Sequence, residues 1–553
     1  MAQIQETAVL IIGGGPTGLA LAADLTTKGI PSIVVETRTD VTAHPRATLL
    51  GSRSMELYRR LDRLDRKILD AALPREFGYE VVFTTSLSKE ALYYHRSPSP
   101  NEYEAAHAQM RTDLPESAWT PYFKVQIGQH ALEPVVKGWI EEKGLAQLYY
   151  GWEYESFEQD QDGVTSIIRN IETGETRTIR SRFLVGADGG RSKIRLQLDI
   201  PYVGRGAMRR NVSFLFRSPE FSQHAKVGRF NLCFMFKPGA FGVFTNINDV
   251  DTWNYQHYLL NPSEDPSSLD PETEIRNAMG HDFPFEIIQV LKWSHHQSVA
   301  ERYRKGNVFL AGDSAHLFCP TGGVGMNTGI GDAFDLGWKL AAVLQGWGGE
   351  GLLESYEWER RPIGFRNTIA AASNADRIDA MMKTTTTALD EQTAQGDEAR
   401  AFYARRLRWL AKQFNSAGTH LGYRYAESPI IVADGTPEPP DDLRVVVQST
   451  WPGCRAPHIW LAPGRSTLDW YDGCHFVMVN TSDTEETNGM TEVAAELGIP
   501  YTTVACNDPR VAHLYEKPFV LVRPDGHVCW RGDAAPVNAR AVWEHVTGIK
   551  SIL

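Results

Sequence analysis

The stretch Val9-Leu10-Ile11-Ile12-Gly13-Gly14-Gly15-Pro16-Thr17-Gly18-Leu19-Ala20-Leu21-Ala22-Ala23-Asp24-Leu25 decides the fold. The apolar run from Thr7 to Ile12 reads as a buried strand, Gly18 to Lys28 as a helix, and Pro31 to Glu36 as a second buried strand, which together make a βαβ unit. Gly13-x-Gly15-x-x-Gly18 joins the first strand to the helix. Gly13 permits the tight turn, Gly15 lets backbone approach a pyrophosphate at the positive end of the helix, and Gly18 lets the helix pack closely on the strand. Pro16 and Thr17 lie within the same turn. Glu36 stands 18 residues beyond Gly18, at the end of the second strand, where a carboxylate can accept from ribose hydroxyls. Strand, glycines, helix and acid agree on a dinucleotide, and they do not by themselves separate FAD from NAD.

Two later segments repeat the pattern of an aspartate just after a buried strand, beside glycines. One is Phe183-Leu184-Val185-Gly186-Ala187-Asp188-Gly189-Gly190. The other is Val308-Phe309-Leu310-Ala311-Gly312-Asp313-Ser314-Ala315-His316, continuing through Pro320-Thr321-Gly322-Gly323-Val324-Gly325-Met326-Asn327. Carboxylates so placed can bind sugar or ribityl hydroxyls, while glycines turn backbone N–H groups toward phosphate or a flavin edge.

In these three motifs, taken in order over residues 7 to 375, the chain resembles the FAD-dependent aromatic hydroxylases of the para-hydroxybenzoate hydroxylase fold. The resemblance implies residue roles. Asp188 would lie near the FAD pyrophosphate and the NAD(P)H path, and Asp313 would bind the ribityl chain. Pro320, Gly322, Gly325, Met326 and Asn327 would line the isoalloxazine ring. Arg46, in His44-Pro45-Arg46-Ala47, resembles a family arginine that contacts FAD, with a plain surface arginine as its alternative. Gln129 resembles a glutamine near the ribityl chain, with a simple helix cap as its alternative. His316 reads as structural, and Cys319 as a packed thiol. The catalytic residues stay unassigned: phenol hydroxylases carry an aspartate base in the stretch matching Ala47 to Arg53, and here Thr48 is the approximate match.

The implied fold is α/β (α+β). A Rossmann-like FAD-binding domain (1–80, 129–200, 300–375) carries an inserted antiparallel-sheet substrate domain (81–128, 201–299). A helical connection (376–440) ends in the linker Asp434-Gly435-Thr436-Pro437. Residues 441–553 resemble the thioredoxin-like C-terminal domain of phenol hydroxylases through Arg455-Ala456-Pro457-His458, Ser466-Thr467-Leu468-Asp469 and Leu521-Val522-Arg523-Pro524-Asp525-Gly526. That domain has no C-x-x-C, so it is expected to buttress the fold or an interface rather than do redox chemistry. Several local expectations follow. Met55 to Leu73 reads as a single helix, Tyr93 to Trp119 as a polar insertion or mobile loop, and Ala333 to Leu344 as a helix. Pro362 should force a helix start or kink. Phe234, Phe236, Phe241, Phe244, Trp253 and Tyr255 would suit a flat ligand, and Tyr255 and His257 are weak candidates to assist a phenol.

Composition sets the outer bounds. The 553 residues carry 42% hydrophobic and 22% charged side chains and a formal net charge of −12, ordinary for a multidomain globular chain and unfavourable for nucleic acid. No window approaches about 20 apolar residues, so no membrane span is expected. Cys233, Cys319, Cys454, Cys474, Cys506 and Cys529 show no C-x-x-C spacing. The N-terminal apolar run meets glycine at once, unlike a signal peptide, so a cytoplasmic protein is expected. No metal site is expected: His295-His296 has no neighbouring ligands. There is no second G-x-G-x-x-G after a strand, so NAD(P)H would visit transiently.

The resemblance therefore implies a monooxygenase that uses FAD, NAD(P)H and O2, through a flavin C4a-hydroperoxide, to hydroxylate an aromatic, phenol-like substrate, with a homodimer left open. The same chemistry on a polyketide or antibiotic, including decarboxylative hydroxylation or Baeyer–Villiger insertion, is the alternative. A non-enzymatic FAD-binding redox sensor is the more distant one.

Overall fold

The computed structural model describes residues 4–261, 263–482, 484 and 488–550, so the outermost residues of the first and last expected domains lie outside it. Strand Ile4–Ile12 is the middle of a parallel sheet, paired with Ser32–Glu36 on one side and Thr176–Gly186 on the other. Ala146–Tyr150 and Val308–Leu310 extend it in parallel at either side. Val9, Leu10 and Ile11 are wholly buried, as a strand covered on both faces must be. This register brings the ends of three strands together. Ala187 N donates to Ile12 O, Ala311 N to Gly186 O, and Gly13 N to Val35 O. The three glycine-rich motifs therefore leave the sheet at one edge, the usual place for a ligand in an open α/β sheet.

A second sheet of eight strands draws on residues 80–96, 202–300 and 316–317. Its long strands Tyr202–Arg217 and Glu286–Ala300 are antiparallel along nearly their whole length. The short strand His316–Leu317, part of the third motif, pairs with Glu286–Ala300, so the sheet and the motif are one piece of backbone structure.

Three expectations needed correction. Tyr93 to Trp119 is ordered: it holds the edge strand Tyr93–Arg96 and the helix Pro100–Ala108. That helix has a capping box, Ser99 with Glu102, and Pro100 in its first turn, a start signal present in the sequence. Met55 to Leu73 is two helices, Ser52–Arg59 and Leu64–Ala71, because Asp62 and Arg63 take positive φ values of 47° and 62°. The helix ending at Leu344 begins at Gly325, inside the glycine-rich loop. The helix Glu350–Met382 runs through Pro362 without restarting; the missing N–H falls near Trp358, which is exposed.

The C-terminal residues form the thioredoxin-like unit. Phe476–Asn480 pairs in parallel with Tyr501–Ala505 and antiparallel with Phe519–Val522, which pairs with Val528–Gly532. Buried charges dock this unit on the rest of the chain. Glu56 accepts from Arg53 Nη1 at 3.0 Å and from Arg455 Nε at 2.8 Å, with its side chain 1% exposed. Burial alone would raise the Glu56 pKa, but Arg455 and Arg53 outweigh it and hold the carboxyl down to about 2. A depressed folded-state pKa gives stability that is fully present above the unfolded value and is lost as pH falls toward the folded one. From an ordinary glutamate near pH ~4.3, the window is about pH 4.5 down to 2, worth on the order of 3 kcal/mol. Melting temperatures recorded across that window should fall steeply for the wild type and less for Glu56→Gln. Parallel acid limbs would show that Glu56 is not the group responsible.

Candidate active site

The turn Gly13 to Gly18 is shaped by two contacts and one gap. A side chain on Gly13, at φ +114°, would strike the carbonyl of Ala187. One on Gly18 would strike Gly13 O. A Cβ on Gly15 meets nothing nearer than Glu133 Oε1 at 4.0 Å. Gly13 and Gly18 are thus required by the protein's own packing, whereas Gly15 faces open space at the start of the helix Pro16–Thr27. Pro16 occupies the first helical turn. Thr17 locks the first motif to the third, because a methyl on Gly312 or on Gly329 would strike its Oγ1.

Glu36 ends the second strand as expected, but its oxygens are already engaged. Oε2 accepts from Gly14 N at 2.7 Å and from Arg38 Nη2 at 3.2 Å, and Oε1 from Arg38 N at 2.9 Å and Nε at 3.0 Å. Burial pushes its pKa up, Arg38 and the backbone donors pull it down, and the net is a lowered value. Four donors fill a carboxylate's lone-pair sites, so a ribose hydroxyl would have to displace Arg38. Arg38 also reaches Glu133 Oε2 at 3.2 Å, and Gln129 Nε2 donates to Glu133 Oε1 at 2.6 Å. Glu133 is fully buried and organises both neighbours. Sequence reading missed Arg38 and missed this role of Glu133. The only available signal was the position of Glu133 one helical turn beyond Gln129.

Arg46 has an exposed side chain on a backbone with φ 38°, an unusual conformation for a non-glycine residue. The loop is clamped there by Gln129 N, which donates to Pro45 O and Ala47 O. Among the described residues, no group hydrogen-bonds the guanidinium of Arg46 or the carboxylate of Asp313. Asp313 is exposed to solvent on one side, with protein packed around the rest of its carboxyl. That surrounding raises its pKa, and His316 and Arg46 partly offset the effect. Asp188 turns inward: Oδ2 accepts from Ile194 N at 3.3 Å, and Oδ1 is buried without a partner.

The loop from Pro320 to Asn327 is held by its last residue. Asn327 Oδ1 accepts from Gly51 N and Ser54 Oγ, both at 2.7 Å, and Nδ2 donates to Gly323 O at 2.7 Å and Leu49 O at 3.0 Å. Its amide is fully used by protein, which leaves only its backbone for a ligand. Met326 packs on the main core. Gly322 (φ +97°) and Gly325 meet side-chain atoms no closer than 3.5 and 3.4 Å, which leaves room beside the loop. His316 is buried and binds Asp332 Oδ2 through Nε2 at 2.6 Å. Cys319 packs its sulfur 3.4 Å from that of Met208.

Beside this loop lies a cavity of about 290 Å³, lined by Met208, Arg209, His295, Cys319 and Asp376 among others. Arg205–Asp376 at 3.0 Å and Arg209–Asp379 strap the helix Glu350–Met382 over it. His295 stacks on Trp293 and bonds Asn211. Burial, with Arg209 and His296 adding, pushes its pKa down to about 3, so it is a neutral hydrogen-bonding group rather than a base. Of the six aromatic residues expected to serve a flat ligand, Phe234, Phe236 and Phe241 share a cluster with Leu49 and Tyr258, next to the loop. Phe244, Trp253 and Tyr255 belong to the cluster on the opposite face. Strand alternation separates Phe241 from Phe244. It also sends Tyr255 and His257 away from the loop, His257 facing Glu274 at 2.9 Å.

Comparison with known proteins agrees with this arrangement. A family model described as FAD binding domain matches residues 6–371, and one described as aromatic-ring hydroxylase, C-terminal, matches 449–549. The chain belongs to this family of flavin-dependent aromatic-ring hydroxylases. Tetracenomycin A2 monooxygenase-dioxygenase of Streptomyces glaucescens is 32% identical over 97% of this chain and 95% of its own. The 4-methyl-5-nitrocatechol 5-monooxygenase of a Burkholderia species is 32% identical over 95% and 94%. RebC soaked with chromopyrrolic acid and holding 7-carboxy-K252c superposes with TM-score 0.89 at 33% identity, covering 99% of this chain and 100% of that one.

This hydroxylase is an FAD enzyme, and its residues fit the cofactor. Gly15 opens onto space that the protein itself does not fill, while Asp313 and Arg46 offer unpartnered charges. Among the described residues, no helix is long and apolar enough to cross a membrane.

Proposed function

We propose that the hydroxylase acts on a one- or two-ring phenol, seated in the cavity beside Cys319. The cavity volume carries this reading: about 290 Å³ is roughly twice the space that accommodates benzene in a protein core. Bound FAD, reduced by NAD(P)H, supplies the oxygen-transfer chemistry with O2. Gly13, Gly15, Pro16, Thr17 and Gly18 shape the turn that takes the pyrophosphate. Glu36 with Arg38 faces the ribose, and Arg46, Gln129, Asp188 and Asp313 contact the remainder of the cofactor. Pro320, Gly322, Gly325, Met326 and the backbone of Asn327 border the ring. Arg209 and the neutral His295 orient the substrate hydroxyl, and the strapped helix excludes water. All six cysteines are free, as a reducing cytoplasm would leave them.

A polycyclic substrate of the polyketide type is the second reading, favoured by the tetracenomycin and RebC relatives. It requires residues 375–382 to move, with the Arg205–Asp376 and Arg209–Asp379 pairs opening. A panel running from monocyclic phenols to tetracyclic polyketides, scored by stimulated NADPH oxidation and product mass, decides between them. Stimulation of at least tenfold with product of +16 mass units is expected from one- or two-ring phenols. Stimulation by tetracyclic compounds alone would refute the first reading.

A further inference from the structure

A second cavity, of about 550 Å³, lies where the FAD-binding part, the second sheet and the C-terminal unit meet, and shares no lining residue with the cavity beside Cys319. Its walls are aromatic. Tyr103 stacks on Phe123 with ring centres 5.1 Å apart, His107 lies 4.8 Å from Trp460, and the Arg229 guanidinium sits 4.1 Å over Phe77. Trp460, Pro463 and Gly464 bring the C-terminal unit into the wall. Arg59 fixes that edge through Asp469 at 2.6 Å and Gly464 O at 3.2 Å.

The polar chemistry of the walls is unbalanced in one direction. Six cationic side chains and three carboxylates line the cavity. Arg59, Arg63, Arg75 and Arg229 have acidic partners. Arg66 has none among the described residues. His107 Nε2, Gln126 Oε1, Arg229 Nη2 and Trp460 Nε1 are buried with no hydrogen-bond partner. Two of these atoms, Arg229 Nη2 and Trp460 Nε1, are obligatory donors, and unpaired buried donors are uncommon in native proteins. Flat apolar walls, spare donors and the unpaired Arg66 together describe a receptor for a planar ring that carries oxygen acceptors.

We infer that this cavity is a second ligand site, which takes a flat aromatic anion of the hydroxyarene-carboxylate class. The volume suits two or three fused rings. The ring lies against Tyr122 and Trp460, and the carboxylate faces Arg66 and Arg229. The site also gives the C-terminal unit a binding role, because without Trp460 and Gly464 one wall is absent. Gln126, on its floor, belongs to a strand paired with Leu49–Leu50, and Leu49 O accepts from Asn327. The new site is therefore one strand pair away from the flavin loop.

The test uses the FAD-loaded full chain and 1-hydroxy-2-naphthoate, titrated by calorimetry and, in parallel, by the visible flavin spectrum. The flavin spectrum reports the cavity beside Cys319, and the heat reports both. Two variants address the new site alone: Arg66→Glu reverses an exposed, unpaired charge, and Ala108→Trp fills the cavity from an exposed helix end. A calorimetric site weakened at least tenfold by Arg66→Glu and lost in Ala108→Trp, with the flavin-spectral titration of both variants unchanged, is the expected result. The inference is overturned if the wild type shows no calorimetric binding below about 1 mM. It is equally overturned if both variants match the wild type in heat and stoichiometry, or if every bound molecule tracks the flavin spectrum.

Discussion

Gly15→Ala is expected to yield a folded hydroxylase that has lost its yellow colour. At Gly15 the backbone is extended, with φ −80° and ψ −176°, which any residue adopts, and an added Cβ comes no nearer to protein than 4.0 Å, from Glu133 Oε1. Nothing in the protein therefore resists the substitution, and the melting temperature of the apoprotein should be unchanged. The methyl group instead occupies the space through which the pyrophosphate reaches the N–H groups at the start of Pro16–Thr27. Loss of that approach should weaken FAD by about 100-fold or more, some 2.7 kcal/mol, and remove most of the stabilisation that the bound cofactor gives the fold. Gly18→Ala makes the contrast. Its Cβ runs into Gly13 O, and Gly13 is itself held in place by its N–H, which donates to Val35 O at 2.8 Å. That variant should lose soluble protein as well as flavin. Absorbance near 450 nm after desalting, fluorescence titration with FAD and apoprotein melting curves distinguish the two. A Gly15→Ala protein that keeps FAD at wild-type affinity would remove the pyrophosphate from this turn.

The contrast also marks how far the sequence could be read. The spacing of Gly13, Gly15 and Gly18 announces a turn that packs closely and admits a ligand, because each glycine answers a backbone requirement set within a few residues. The order of the three motifs likewise carries the sheet, since each motif follows its own strand. What was misread depended on register or on distant partners. Phe244 and Phe241 look equivalent in composition, yet three positions along a strand put them on opposite faces. Glu36 looks like a free acceptor until Arg38, two residues on, is seen to fold back on it. The helix Pro100–Ala108 was legible, because Ser99, Pro100 and Glu102 form a start signal, but the surrounding polar residues drew attention to a loop instead. Nothing local pairs Arg523 with Asp335, 188 residues away, and composition alone gives no reason to expect buried charge there.

That buried charge sets the second large expected effect. Arg523 is wholly buried and binds Glu359 Oε1 at 2.5 Å and Oε2 at 2.9 Å, Asp335 Oδ1 at 3.3 Å and Asp525 Oδ2 at 2.5 Å. Lys339 joins Asp335 at 2.8 Å and Glu359 at 2.5 Å. Arg523→Met keeps an unbranched apolar stem but ends short of the guanidinium, and leaves three buried carboxylates to Lys339 and His527. Breaking a buried ionic set in this way costs about 3–5 kcal/mol, because charges already taken from water lose their partner. The loss falls on the seam between the C-terminal unit and the helices Gly325–Leu344 and Glu350–Met382, so it should appear as a separate early melting transition. FAD should also be held less firmly. On the same two helices, Arg360 binds Asp332 at 2.8 Å, and Asp332 accepts from Gly312 N at 3.0 Å, directly beside Asp313. Adding Glu359→Gln tests the cause. If the cost comes from an unpaired carboxylate rather than from lost packing, Arg523→Met with Glu359→Gln should be more stable than Arg523→Met alone, with a coupling of about 1–3 kcal/mol in the double-mutant cycle. Additive losses would mean that Arg523 supports the seam by its volume and that the charges at its end are incidental.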